Sequence, residues 1–305
     1  MLSFHRRMWK FSGRPHGIAL TTRMRFFAQH FALGTFLLLL ITSCSTIPTP
    51  TRIALLAPFE GRYREVGYDA LYSARMAVQD TGTNFIELLP VEDGGSVTSA
   101  AARARALNLD PDVAAVLVMG YSATDAAVLA EFGDLPVLVV GDWGAQPVSE
   151  RVYILSNPVI RDRLTISERT GITDAAQLTT PFIGGEILAL TQMADLRPSL
   201  DGITILSSAA LPDAQFAERY AASDPFAPEP GLLASLSYDA ARMAAEAVLS
   251  GQGKREAVNQ YLSESSYTGF NGIIRFEDSY WADAPIHEYV YNETGELLPV
   301  DHIVE

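Results

Sequence analysis

Between Arg52 and Val140, short apolar runs alternate with longer segments of helical period, and this alternation constrains the fold more than any other feature of the chain. Residues 52–57 (RIALLA) form an apolar run closed by Pro58. Over residues 67–80, Ala70, Leu71, Ala74, Ala77 and Val78 fall on one helical face. Residues 84–91 repeat the strand, Val97–Leu109 the helix, 113–119 (VAAVLVM) the strand, 124–132 the helix and 136–140 the strand. Strands that are apolar throughout need cover on both faces. Interleaved with helices, they predict an α/β fold with a parallel sheet between two helical layers. Pro136 fits because it opens its strand, where a missing N–H costs least.

After Gly141 the rhythm loosens. Strands are expected at Val152–Leu155, 181–184 and 202–206, and a helix at 186–195. Residues 238–249 (YDAARMAAEAVL) read as a helix rich in Ala, Met and Leu. Strands at 273–276 and 288–291 close the chain, with 292–296 (NETGE) as a turn. There is no internal repeat.

The first fifty residues carry Arg6, Arg7, Lys10, Arg14, Arg23 and Arg25 but no Asp or Glu. An apolar run over 31–41 (FALGTFLLLLI) follows, too short for a bilayer-crossing helix, which needs about 20 residues. Basic segment and short apolar run together predict a signal peptide over 1–43, complete from either Met1 or Met24. Ile41-Thr42-Ser43-Cys44 resembles the lipobox of bacterial lipoproteins. That resemblance implies cleavage before Cys44, the single cysteine of the chain. Cys44 would then be diacylated with palmitate-type chains, placing the protein outside the cytoplasm on the inner or outer membrane. Residues 44–51, with two prolines, read as a short extended tether.

Residues 1–43 hold six of the 22 Lys and Arg and none of the 36 Asp and Glu, so the mature chain has a formal charge of −20. A surface this acidic is repelled by phosphates, which excludes a nucleic-acid partner, and it favours a monomer. With its only thiol acylated, the domain has no disulfide and relies on its core.

Residues 52–78 (RIALLAPFEGRYREVGYDALYSARMAV) resemble the opening strand, loop and helix of the leucine/isoleucine/valine-binding proteins, which are extracytoplasmic solute-binding proteins of the periplasmic type I class. Val91-Glu92-Asp93, Gly120-Tyr-Ser-Ala-Thr124, Tyr238-Asp239-Ala240 and Thr268-Gly-Phe-Asn-Gly-Ile-Ile-Arg-Phe276 are similar to further family segments, in the family's order. The resemblance implies two α/β lobes joined by three crossovers, each lobe a parallel sheet flanked by helices. Lobe 1 would comprise 52–150 and 209–283. Lobe 2 would comprise 151–208 and 284–305, reduced because most of one strand–helix–strand unit is missing.

The same resemblance implies a ligand set. Ser122 and Thr124, on the turn after the third strand, would offer hydroxyls and helix-end N–H groups to a carboxylate; capping of the helix is the alternative role for either. Gly144 and Ala145 would add backbone groups from the turn after the fourth strand, Ala145 standing where the family usually has Thr. Tyr63 or Trp143 would cover the space left by Val66. Glu186 would receive the ligand ammonium, or else complement a helix start. Together these residues imply a small polar, amino-acid-like ligand and an ABC importer permease as partner. The competing expectation is a protein-binding lipoprotein of the cell-wall synthase activator kind, with the same fold and no small ligand.

Enzyme chemistry finds little support. Gly120-Tyr-Ser122 sits where a nucleophile elbow would lie, but position 124 is Thr rather than Gly, and the mature chain has only His287 and His302 as bases. Two histidines and scattered carboxylates suggest no metal site, and no glycine-rich loop suggests a phosphate-bearing cofactor.

Overall fold

The computed structural model describes residues 50–165, 181–194 and 202–300. The basic and apolar N-terminal segments, Cys44 and His302 lie outside the described residues.

The first seven elements follow the predicted alternation: β1 (Thr51–Ala57), α1 (Arg64–Gln79), β2 (Ile86–Glu92), α2 (Val97–Leu109), β3 (Val113–Val118), α3 (Ala126–Glu131) and β4 (Val137–Val140). β1 pairs in parallel with β2 on one side and β3 on the other, and β3 with β4. Because the chain steps from β1 to β2 in one direction and from β2 to β3 in the other, right-handed crossovers put α1 and α2 on opposite faces. All of β3 is buried, as covering both faces requires. β2 is the edge strand, which accommodates Pro90. At Gly67 a Cβ would lie 2.2 Å from the Pro58 carbonyl oxygen, so α1 rests on the β1 loop only because that residue is glycine.

β5 (Val152–Leu155) continues this sheet, pairing in parallel with β4. The expected lobe boundary at 150–151 is therefore misplaced. Val152, Tyr153 and Leu155 are nearly fully buried, and a strand this apolar stays where both faces are covered. The sheet is completed from the far end of the chain by a hairpin of β10 (Phe276–Glu277) and β11 (Tyr280–Trp281), with β11 parallel to β5. Three later helices cover it: α6 (Ala214–Ser223), α7 (Ala234–Ser250), which lies along α1, and α8 (Arg255–Glu264), which packs on α7. A small hairpin, β8 (Tyr267–Gly269) and β9 (Gly272–Ile274), precedes β10.

The second sheet has four strands: β6 (Phe182–Gly184), β7 (Ile203–Ser207), β12 (His287–Tyr291) and β13 (Leu297–Pro299), ordered β13-β12-β7-β6. Only β6 and β7 are parallel. β12 runs antiparallel to β7, where the chain enters from the third crossover, and to β13, to which a hairpin through Asn292–Glu296 joins it, which corrects the expectation of a parallel sheet in each lobe. α4 (Pro158–Arg163) packs Ile160 and Leu164 against Leu206 in a small outer core. The helix expected at 186–195 is divided into a 3₁₀ turn, Glu186–Ala189, and α5 (Thr191–Ala194). The Tyr291 hydroxyl donates to the Leu188 carbonyl at 2.6 Å, taking the acceptor that a continuous helix would present to residue 192.

Three crossovers join the lobes, at Ser156–Asn157, Ser208–Ala209 and Ala284–Pro285, and they are bonded to one another. The Asn157 N–H donates to Ser208 Oγ at 2.9 Å, the Ser208 hydroxyl to the Pro285 carbonyl at 2.8 Å, and Asn157 Nδ2 to the Ala284 carbonyl at 2.6 Å.

Candidate ligand-binding cleft

In a doubly wound sheet, the crevice at the carboxyl ends of the strands, where strand order reverses, is the place for a ligand. Here it is bounded by the loops after β1, β3 and β4. Their aromatic residues form a row of edge-to-face contacts, Tyr63 on Tyr121 at 6.2 Å and Tyr121 on Trp143 at 5.4 Å. Trp143 Nε1 donates to the Val140 carbonyl at 2.7 Å, which fixes the ring against the sheet. Tyr63 thus borders the crevice, and Val66 is buried.

On the turn after β3, Thr124 is bonded within the turn itself. The Thr124 hydroxyl and N–H both donate to the Gly120 carbonyl, at 2.9 and 3.1 Å. α3 starts only at Ala126, and Asp125 caps it by accepting the Ala127 N–H at 2.8 Å. An acidic cap satisfies the helix end with a built-in negative charge, leaving it poorly suited to a ligand carboxylate. Ser122 is half-buried on the same turn.

After β4, Gly144 has φ +72° and donates its N–H to Asp142 Oδ1 at 3.0 Å. The Arg161 guanidinium of α4 lies over it, within 2.8 Å of where a Cβ would be, so this turn already meets the second lobe. Ala145 packs its methyl on the main core. Burial pushes the Asp142 carboxyl above its usual range, partly offset by the Gly144 N–H and the Arg161 charge.

Glu186 is 2% exposed at the junction of the two sheets. Its Oε2 accepts the Asp142 N–H at 2.7 Å and its Oε1 the Ser207 hydroxyl at 2.8 Å. Of the expected ligand residues, the structure brings Glu186, Gly144 and Ala145 around one turn, with Tyr63, Ser122 and Thr124 on the neighbouring loops. A cavity of about 10 Å³ remains between Glu65, Asp69, Glu186, Leu190 and Leu233, at the lower bound for one water. Across it, Glu65 Oε1 accepts the Thr191 N–H at 2.6 Å and hydroxyl at 2.8 Å, and Gln192 Nε2 donates to the Arg62 carbonyl at 2.6 Å. Leu188 and Leu190 of the second lobe belong to the same apolar core as Leu232 and Leu233 of the first. Asp69 is held well above the ordinary carboxylate range, by burial first and by the Glu65 charge second, with the Gly231 N–H opposing both.

Sequence reasoning missed Glu65, Asp69, Asp142 and Arg161. Asp142, next to a strand-ending glycine, carried the local signal of an Asx turn; the others act through contacts distant in sequence. Among the described residues no group of His, Cys, Asp and Glu has the arrangement of a metal site, and none of the helices is long and apolar enough to cross a membrane. His287 sits on β12 beside Tyr289, rather than on the Gly120–Thr124 turn.

No family model and no curated protein sequence matches the chain. Solved structures do. The chain is similar to the branched-chain amino acid transporter substrate-binding protein LivJ of Streptococcus pneumoniae in complex with isoleucine, with 15% identity, TM-score 0.63, and coverage of 82% of this chain and 98% of that one. It is similar to the leucine-binding protein LivK of Thermotoga maritima, with 16% identity, TM-score 0.66, and the same coverage of 82% and 98%. A solute-binding protein from R. palustris in complex with benzoate aligns at 13% identity and TM-score 0.63, over 83% of this chain and 96% of that one. The fold is therefore that of the type I periplasmic binding proteins.

Proposed function

We propose that the chain is a lipid-anchored, extracytoplasmic solute-binding protein, held to the membrane through Cys44, that works as a monomer and delivers a small polar solute bearing an amine to an ABC importer. It performs no catalysis. The observation that carries this reading is the position of Glu186, a buried carboxylate reaching from the second lobe to an N–H of the first. When the lobes part, that contact is lost and an ammonium group can replace Asp142 as the donor. The solved examples of the fold named above, two of them with isoleucine or benzoate bound, support a solute-binding role. The test is titration calorimetry of wild type and Glu186→Gln against amino acids, small amides and amines. A charge-assisted hydrogen bond contributes about 1.5–3 kcal/mol, so affinity should fall about 10- to 150-fold in the variant. Absence of binding by the wild type to every member of the panel would overturn the reading.

A second reading is a protein-binding regulator of the cell-wall synthase activator kind. The observation favouring it is the apolar core that continues from Leu188 and Leu190 into Leu232 and Leu233, with so little volume beside Glu186. Under this reading the calorimetric panel is silent and the lobes stay closed in solution, as X-ray scattering would report.

A further inference from the structure

Two carboxylates hold the lobes together, and each takes its donors from the opposite lobe. Glu65 belongs to the first lobe, and its Oε1 accepts the N–H and the hydroxyl of Thr191 in the second, at 2.6 and 2.8 Å. Glu186 belongs to the second lobe, and its Oε2 accepts the Asp142 N–H of the first at 2.7 Å. Both carboxylates line the same small cavity, where the apolar side chains of Val66, Leu190, Leu232 and Leu233 lie beside them. Parting the lobes therefore takes donors from both acids at once. Each must then find a replacement, because a charged acceptor left unpaired costs more than a neutral one. No Lys or Arg lines the cavity, and Arg62 and Arg64 on the adjoining loop are exposed. A solute carboxylate would meet anions there and no cation.

We propose that the solute is an aliphatic dication, with an ammonium or guanidinium group at each end of a short apolar chain, and that one end replaces Thr191 on Glu65 while the other replaces Asp142 on Glu186. This rests on the solute-binding reading and deepens it: Glu186 selects a cation, and Glu65 selects a second one. The leucines between the two acids cover the chain that joins the charges. Asp69, the third acid of the wall, is pushed upward by burial and by the Glu65 charge, a field that a cation on Glu65 relieves. Tyr63 and Tyr121 border the crevice as well, and aromatic rings attract organic cations through their π faces.

The test is titration calorimetry of the mature domain at physiological salt, which screens the general pull of an acidic surface. The probes are the α,ω-diamines from 1,3-diaminopropane to 1,8-diaminooctane, with hexylamine as the singly charged counterpart and leucine as the amino acid. At least one diamine should bind saturably, about tenfold or more tighter than hexylamine and leucine. Glu65→Gln, shown to be folded by circular dichroism, should weaken that diamine about 10- to 150-fold and leave hexylamine within about threefold. Thr191→Val removes a hydroxyl that competes for Glu65, so the diamine should bind it about twofold or more tighter than wild type; this variant decides the matter if Glu65→Gln does not fold. Hexylamine or leucine binding as tightly as the best diamine, or a diamine affinity unchanged in the deciding variant, overturns the inference and leaves the solute-binding reading standing. Silence of every diamine beside binding of another solute does the same, and silence of all solutes overturns both.

Discussion

Asp239 on α7 holds Asn271 in the β8–β9 turn, accepting its backbone N–H and its side-chain Nδ2 each at 2.8 Å, and accepts the Phe270 N–H at 3.1 Å as well. Asn271 passes the constraint on through its Oδ1, which accepts the Ala210 N–H at 2.8 Å just beyond the second crossover. Two separated motifs, Tyr238-Asp239-Ala240 and Thr268–Phe276, are thus halves of one contact. Gly269 is part of it, since a Cβ there would come within 2.1 Å of Asp239 Oδ1.

Asp239→Ala should therefore be among the most destabilising single changes in the domain. It strands three donors at a fully buried position, and each unsatisfied group costs about 1–3 kcal/mol. A loss of about 3 kcal/mol or more is expected, read as a fall in melting temperature of roughly 6–12 °C at 2–4 °C per kcal/mol. A fall of less than about 2 °C would show that the contact is dispensable.

Asp69 sets the expected dependence on pH. Its carboxyl lies well above the ordinary 3.8 in the folded protein, because burial and Glu65 oppose its charge. A raised acid contributes stability that is complete below the unfolded pKa and is lost as pH rises through the folded pKa. Burial raises Asp93, Asp142 and Asp239 in the same direction. Melting temperature should accordingly increase as pH is lowered from 8 towards 5, and Asp69→Asn should raise it by a few degrees at pH 8 while flattening the slope. A wild type that becomes less stable over that interval contradicts this account.

Ser208 tests the hinge. Its hydroxyl is the middle link between Asn157 and Pro285, so Ser208→Ala removes two hydrogen bonds, worth about 1 kcal/mol each. Local opening should become easier by about that sum, and the Asn157 amide should exchange with deuterium roughly 10- to 30-fold faster. Unchanged exchange would mean that the crossovers are held from elsewhere.

Attachment to the membrane is expected to rest on Cys44. In cells fed a radioactive fatty acid, wild type should take up label and Cys44→Ala should not. Label persisting in the variant would remove the lipobox assignment without touching the fold.

The elements that positioned the crevice were legible because each announces itself locally. VAAVLV in β3 is apolar without interruption, and Val97–Leu109 is a helix to the residue, capped by Ser96. What escaped is thinner or longer in range. α6 buries only Phe216 and Tyr220, and α8 only Val258 and Leu262, so neither leaves an apolar stripe to read. The β10–β11 strands are two residues each around Asp278 and Ser279, both at positive φ, too short to show a period. Glu186 stood out in the sequence as a carboxylate at a helix start, but its partner Asp142 stands 44 positions earlier, and no periodicity encodes that distance. Thr124 shows the opposite limit. Its hydroxyl is a donor in any setting, and whether it faces a ligand or its own turn depends on backbone geometry invisible in a string of letters.

The pairing of Tyr280 with Ile154 carries a last consequence, for the order of events in the cell. The edge of the large sheet stays open until β11 has been made, because the strand that covers β5 comes far later in the sequence than β5 itself. Contacts so far apart in sequence form slowly.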